Sequence, residues 1–153
     1  MKQPSQHLGC NLIWKKDKIL INKSDLISKL LKTHDMLECK IVKTPCNGNF
    51  LQEIEGNSQV INLTGYQQAI GSLNYLAQHT RPDIMYTVNQ LSHYCMNPTA
   101  KHRIALKHLL RYLKGTMTFN LTYKKSKSLS LISELMGWAD ADYANAKEDR
   151  KSI

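Results

Sequence analysis

Carboxylates are in short supply in this sequence: twelve Asp and Glu stand against twenty-one Lys and Arg, a formal charge of +9 at pH 7. A pI near 9.4 points to a polyanionic partner. No apolar run approaches the roughly eighteen residues a membrane span requires, and the opening stretch MKQPSQHLGCNLIWKK has no apolar core of the kind a secretory signal carries. The expectation is an intracellular chain, in cytoplasm or nucleus, with no membrane partner. Cys10, Cys39, Cys46 and Cys95 are widely spaced with no C-x-x-C pair, which excludes a zinc ribbon or a thioredoxin-like motif and leaves four reduced, structural thiols. There is no G-x-G-x-x-G and no G-x-x-x-x-G-K-[ST], so a nucleotide-binding loop and a small-molecule substrate are not indicated. The six histidines show no Ser-His-Asp, Cys-His or metal-ligand spacing, and His102 and His108 are expected to face solvent or phosphate.

What remains is a globular composition, 42% apolar and 22% charged over 153 residues, about one domain in size. The positive charge is concentrated. Residues 101–125 hold seven bases and no acid, a local charge of +7.

Leu12, Ile13 and Trp14, then Lys15-Lys16-Asp17-Lys18, then Ile19, Leu20 and Ile21 read as a β-hairpin. Asn22 or Ser24 is placed to cap a helix running to about Thr33, with Leu26, Ile27, Leu30 and Leu31 on one stripe and Lys23, Lys29 and Lys32 toward solvent. From Glu38 to Asn62 the periodicity fails, and Pro45, Gly48 and Gly56 mark a connector. Thr64-x-x-Gln67 suits a capping box for a helix from 65 to 78. A second helix follows Pro82 until Asn97-Pro98 interrupts it, and a third is capped by Asn97 and runs to Gly115. The alternation of Phe119, Leu121 and Tyr123, then 129–131 and 135–139, predicts short strands without partners of their own. The predicted class is α+β: a hairpin plus helix (1–37), a connector (38–63), a three-helix bundle (64–116) and an incomplete β segment (117–153).

Two constellations carry chemistry. Arg103, Lys107, Arg111 and Lys114 recur at spacings of four, four and three, which stacks them along one helix face opposite Leu106, Leu109, Leu110 and Leu113. Lys101, Lys124 and Lys125 flank them. Such a ridge neutralises nucleic-acid phosphates; the bland reading is a solvated helix face. In Gly137-Trp138-Ala139-Asp140-Ala141-Asp142, two carboxylates stand one residue apart at the end of a predicted strand. Asp is disfavoured in strands, and Mg²⁺ takes carboxylate oxygens. Two-metal chemistry needs several carboxylates from different elements, however, and a solvated strand end is the bland reading.

The order of the pieces resembles a known family. Leu8-Gly9, the hairpin to Ile21, Cys39-Lys40-x-Val42-x-Thr44-Pro45, Tyr66-x-x-Ala69-Ile70-Gly71-Ser72-Leu73-x-Tyr75-Leu76, Thr80-Arg81-Pro82-Asp83-Ile84, Asn97-Pro98-Thr99, Leu110-Arg111-Tyr112-Leu113-Lys114-Gly115-Thr116 and Asp140-Ala141-Asp142-Tyr143-Ala144 closely resemble the Pol polyprotein of copia-type retrotransposons. Each string is weak alone; together, in order, they are specific. The resemblance implies that Leu8 and Gly9 belong to the primer-grip end of a reverse-transcriptase palm, that 64–116 is a thumb and connection holding a template-primer duplex, and that 135–144 opens a ribonuclease H domain. Asp140 would then be that domain's first Mg²⁺ carboxylate, with Asp142 the weaker claimant. The family's polymerase carboxylates are expected before Leu8 and its remaining ribonuclease H carboxylates after Ile153. Tyr143 and Asn145 depart from the family's usual Trp and Gly. The expectation is therefore a transposable-element fragment with no catalysis and no cofactor of its own, whose partners are RNA/DNA or DNA duplex backbone, the other Pol domains or another protein. The rival expectation is a repurposed interaction module, either a host-directed effector or a regulator of related elements.

Overall fold

The computed structural model describes residues 4–47 and 62–125. It contains a four-stranded antiparallel sheet and four α-helices, the α+β class expected. The strands are β1 (Gln6–His7), β2 (Cys10–Trp14), β3 (Lys18–Asn22) and β4 (Leu121–Lys124), in the order β1-β2-β3-β4. The helices are α1 (Ser24–Thr33), α2 (Leu63–His79), α3 (Met85–Ser92) and α4 (Ala100–Gly115), with a 3-10 turn at Pro82–Ile84 leading into α3. The strands expected at 129–131 and 135–139, with Asp140 and Asp142, lie outside the described residues.

The β2–β3 hairpin pairs Trp14 with Ile19 and closes through Lys15 N–H to the Lys18 carbonyl at 2.8 Å. The β1–β2 turn is tighter: only Leu8 and Gly9 separate paired His7 and Cys10, and both have positive φ, 46° and 70°. Two left-handed residues give the turn whose twist matches a hairpin. Gly9 adopts that conformation freely, whereas Leu8 does so under strain.

β4 corrects an expectation. The strand predicted to lack a partner pairs with β3, Tyr123 opposite Ile19 and Leu121 opposite Ile21. Asn22 donates from Nδ2 to Oδ1 of Asn120 at 2.8 Å, joining positions 98 residues apart, and Lys125 N–H donates to the Asp17 carbonyl at 2.7 Å. Because β4 follows α4 directly, this pairing closes the sheet onto the helical unit.

The buried core is entirely helical and connecting chain. Ile27, Leu30 and Leu31 of α1, with Met36 just beyond it, join Leu73 and Leu76 of α2, Ile84, Val88 and Leu91 of the α3 region, and Leu106, Leu109, Leu110 and Leu113 of α4. No residue of these four strands is fully buried.

Several helix ends differ from the local reading. At α2 the cap is Asn62, whose Oδ1 accepts from Gly65 N–H at 3.0 Å; Gln67, expected to complete a capping box, instead donates to the Cys95 carbonyl at 2.8 Å. Helix α3 stops at Ser92, ahead of Asn97-Pro98. The cap of α4 is Thr99 rather than Asn97, because His102 supplies the reciprocal half of a capping box. Asn22 contributes at α1 by accepting from Ser24 N–H at 3.2 Å.

Candidate nucleic-acid interface

Helix α4 carries the basic ridge on the face its packing leaves free. At about 100° per residue, Arg103, Lys107 and Arg111 fall within an arc of roughly 80°, and the leucines that seal the core occupy the adjoining arc, Leu110 about 20° and Leu109 about 120° from Arg103, so they flank the ridge and do not stand opposite it as the spacing alone suggested. All three cations are exposed. Lys101 is half-buried and lies roughly 160° from Arg103 around the axis, so it is not part of the ridge.

Lys114, expected as the fourth member, is half-buried and donates to the Cys39 carbonyl at 2.8 Å. Its ammonium holds down the chain that follows α1. That chain crosses the outer side of the last two turns of α4. His108 Nε2 lies 2.9 Å from the Thr44 carbonyl. A Cβ on Gly115 would meet Ile41 Cβ at 3.2 Å and the Val42 carbonyl at 3.6 Å. Gly115 therefore marks the place where a strap passes close to the helix, which ends at this residue with Thr116 as its C-cap at negative φ. The strap carries Lys40 and Lys43, both exposed. Sequence reasoning placed these two in the connector and missed them; the signal was the pair of lysines three positions apart on either side of Ile41 and Val42, with no acid between.

Two residues expected at the surface are not there. Lys23 is 2% exposed. Its Nζ donates to the Leu8 carbonyl at 3.1 Å and to Tyr75 Oη at 3.1 Å, and sits 4.4 Å from the Tyr75 ring centroid. Burial works against its charge, but the hydrogen bonds to Tyr75 and Cys10 outweigh that and hold its pKa above the ordinary lysine value. Tyr75 also donates to the Leu8 carbonyl at 3.3 Å. The Leu8-Gly9 turn is thus anchored to α2 through its backbone, while the Leu8 side chain stands 76% exposed.

His102 is 6% exposed rather than facing solvent. Its Nδ1 accepts from Thr99 N–H at 2.9 Å, and its ring stacks on Tyr94 with centroids 3.9 Å apart. Burial, and secondarily the charge of Lys101, lowers its pKa. It works as a neutral helix cap.

Against known proteins, the chain is 40% identical over 123 residues, 80% of its length, to the retrovirus-related Pol polyprotein from transposon RE1 of Arabidopsis thaliana. It is 32% identical over 158 residues, 96% of its length, to the corresponding polyprotein from transposon TNT 1-94 of Nicotiana tabacum. The chain is homologous to a segment of copia-type retrotransposon Pol polyproteins. It spans 8% and 11% of the length of those two relatives. It is also 38% identical over 87 residues, 57% of its length, to secreted RxLR effector protein 161 of Plasmopara viticola, of which it covers 58%. No family model and no solved structure matches.

Two of the strings that carry the resemblance meet in space. Arg81, 2% exposed, donates from Nε and Nη2 to the Asp83 carboxylate at 2.9 and 2.7 Å, and from Nη1 and Nη2 to the carbonyl and hydroxyl of Thr116 at 3.1 and 2.6 Å. Tyr112 Oη donates to the same carboxylate at 2.8 Å. Burial pushes the Asp83 carboxyl up, but the bonds from Arg81 and Tyr112 prevail and hold it below the usual range. The Thr80–Ile84 and Leu110–Thr116 strings of this copia-type segment thus form one joint, locking the end of α2 to the end of α4 and fixing the ridge against the core.

Asp140, the carboxylate that the copia-type Pol resemblance assigns to Mg²⁺, lies outside the described residues. Among those described, no three His, Cys, Asp or Glu side chains come together as a metal site.

Proposed function

We propose that this part of a retrotransposon polyprotein, from the reverse transcriptase and ribonuclease H region, grips the sugar-phosphate backbone of an RNA/DNA or DNA duplex and contributes no catalysis by itself. The observation that carries the reading is the joining of two basic elements: Arg103, Lys107 and Arg111 on α4, with Lys40 and Lys43 on a strap pinned across that helix by Lys114 and His108. Cations held on a rigid rod and a fixed strap meet phosphates without reading bases, so the grip is independent of sequence. Anisotropy titrations of a labelled RNA/DNA hybrid across salt test it. Affinity should fall steeply with salt, and replacing Arg103, Lys107 and Arg111 by Gln should reduce the logarithmic salt slope by about three. Absence of binding at low salt, or a slope unmoved by the triple substitution, defeats the reading.

The likeness to the secreted RxLR effector favours a second reading, in which the same fold serves a protein partner. Capture of one protein species that survives nuclease digestion and the triple substitution supports that reading over the first.

A further inference from the structure

Beside the first residue of the ridge, a groove of about 770 Å³ opens between α1 and α2 and is closed at its side by α4. Its apolar wall is formed by Leu26, Leu30 and Leu106, and Lys29, His34 and Arg103 stand around it. Among the described residues, none that lines it is a carboxylate. Lys29 and Arg103 are exposed, come from different helices and both line the groove. The groove touches the positive end of α2 at Asn62 and the negative end of α1 at Thr33 and His34, so the helix ends offset one another and the side-chain cations carry the attraction for an anion.

An apolar wall with cations at its mouth is chemically two-sided: it suits a ligand that has a flat apolar part and a phosphate. The volume falls within the range of small-molecule sites, and the groove is open on one side to solvent. Basic grooves that receive unpaired bases against apolar or aromatic side chains are how single strands are held without reading sequence. The adjoining ridge is placed to deliver such a strand.

We propose that this groove takes one unpaired nucleotide of a strand whose duplex portion lies along α4, its phosphate between Lys29 and Arg103 and its base against Leu26. The proposal rests on the duplex-gripping reading for the identity of its ligand, and its test separates the two. Gly71 lines the groove, and a Cβ built on it meets nothing within 4 Å. Gly71→Phe therefore fills the space without disturbing the core, and Lys29→Gln removes a rim charge from an exposed site.

A blunt RNA/DNA hybrid and the same hybrid with a single-stranded overhang are titrated against the full chain and both variants. The overhang should tighten binding by about tenfold, the scale of one stacked base. Gly71→Phe should erase that gain while leaving blunt-hybrid affinity unchanged, and Lys29→Gln should reduce it. No gain from the overhang, or a gain that survives Gly71→Phe with the helical circular dichroism intact, overturns the groove proposal and leaves the duplex reading standing. Failure of the blunt hybrid to bind defeats the duplex reading, and the groove proposal with it.

Discussion

β3 and α4 are both rich in apolar residues, yet they end in different environments. β3 has Ile19, Leu20 and Ile21 in succession, and each is only partly covered. In α4, Leu106, Leu109, Leu110 and Leu113 are 4% exposed or less. A strand turns successive side chains to opposite faces, so three apolar neighbours call for cover on both sides of the sheet. A helix gathers its leucines on one stripe, and α1 and α3 pack against α4 and cover that stripe. Apolar content thus says that a segment wants to be buried; the elements stacked against it decide whether it is.

The sharpest way to break this comparison is to cut the same chemistry from both regions. Leu109→Ala should cost about 3–5 kcal/mol, the range for a fully buried leucine, against about 1 kcal/mol for Ile19→Ala. Urea denaturation followed by helical circular dichroism measures both. Equal losses would mean that the sheet is as firmly packed as the bundle.

Acidification sharpens the comparison further, because among the described residues the titrating groups whose pKa falls on folding lie in the helical unit. His102 resists protonation through burial and Lys101, and His34 through burial and Arg103. With folded pKa values lowered, the unfolded chain binds protons first. Stability should therefore be complete above about pH 6.5 and decline as pH falls through it. Asp83 adds a second decline below about pH 4, since its carboxyl must stay ionised to keep Arg81 and Tyr112. His102→Gln, which retains an acceptor for Thr99 N–H without the titration, should shrink the upper step and leave the lower one. Midpoints of urea unfolding from pH 8 to pH 3.5 test this, and an unchanged upper step in His102→Gln would rule His102 out as its source.

The smallest effect belongs to the sheet. Leu8 is exposed and left-handed, so Leu8→Gly should relieve strain and raise stability by about 1 kcal/mol. Thermal unfolding measures it, and a loss of stability would show that the Leu8 side chain makes a contact worth more than its strain.

Much of the architecture was legible residue by residue. The hairpin around Lys15-Lys16-Asp17, the span of α1 and the end of α4 follow from periodicity and turn chemistry. The α4 ridge was legible for the same reason, since spacings of four, four and three lie on one face of any helix. Reading Lys23 as solvent-facing failed because its partners, Leu8 and Tyr75, lie 15 and 52 positions away. Reading Lys114 as an unengaged member of the ridge missed its bond to the Cys39 carbonyl, which only the strap brings to it.

The sequence by itself determined the local elements of this chain, its excess of cations and the face of α4 that bears them, because each depends on residues within about a turn or two of one another. Tertiary structure alone decided which cations are free, that His102 caps a helix and not a phosphate, that β4 finds β3 and that Arg81 joins two distant strings. Those outcomes depend on contacts between residues tens of positions apart, and burial is a property of neighbours that no local pattern contains.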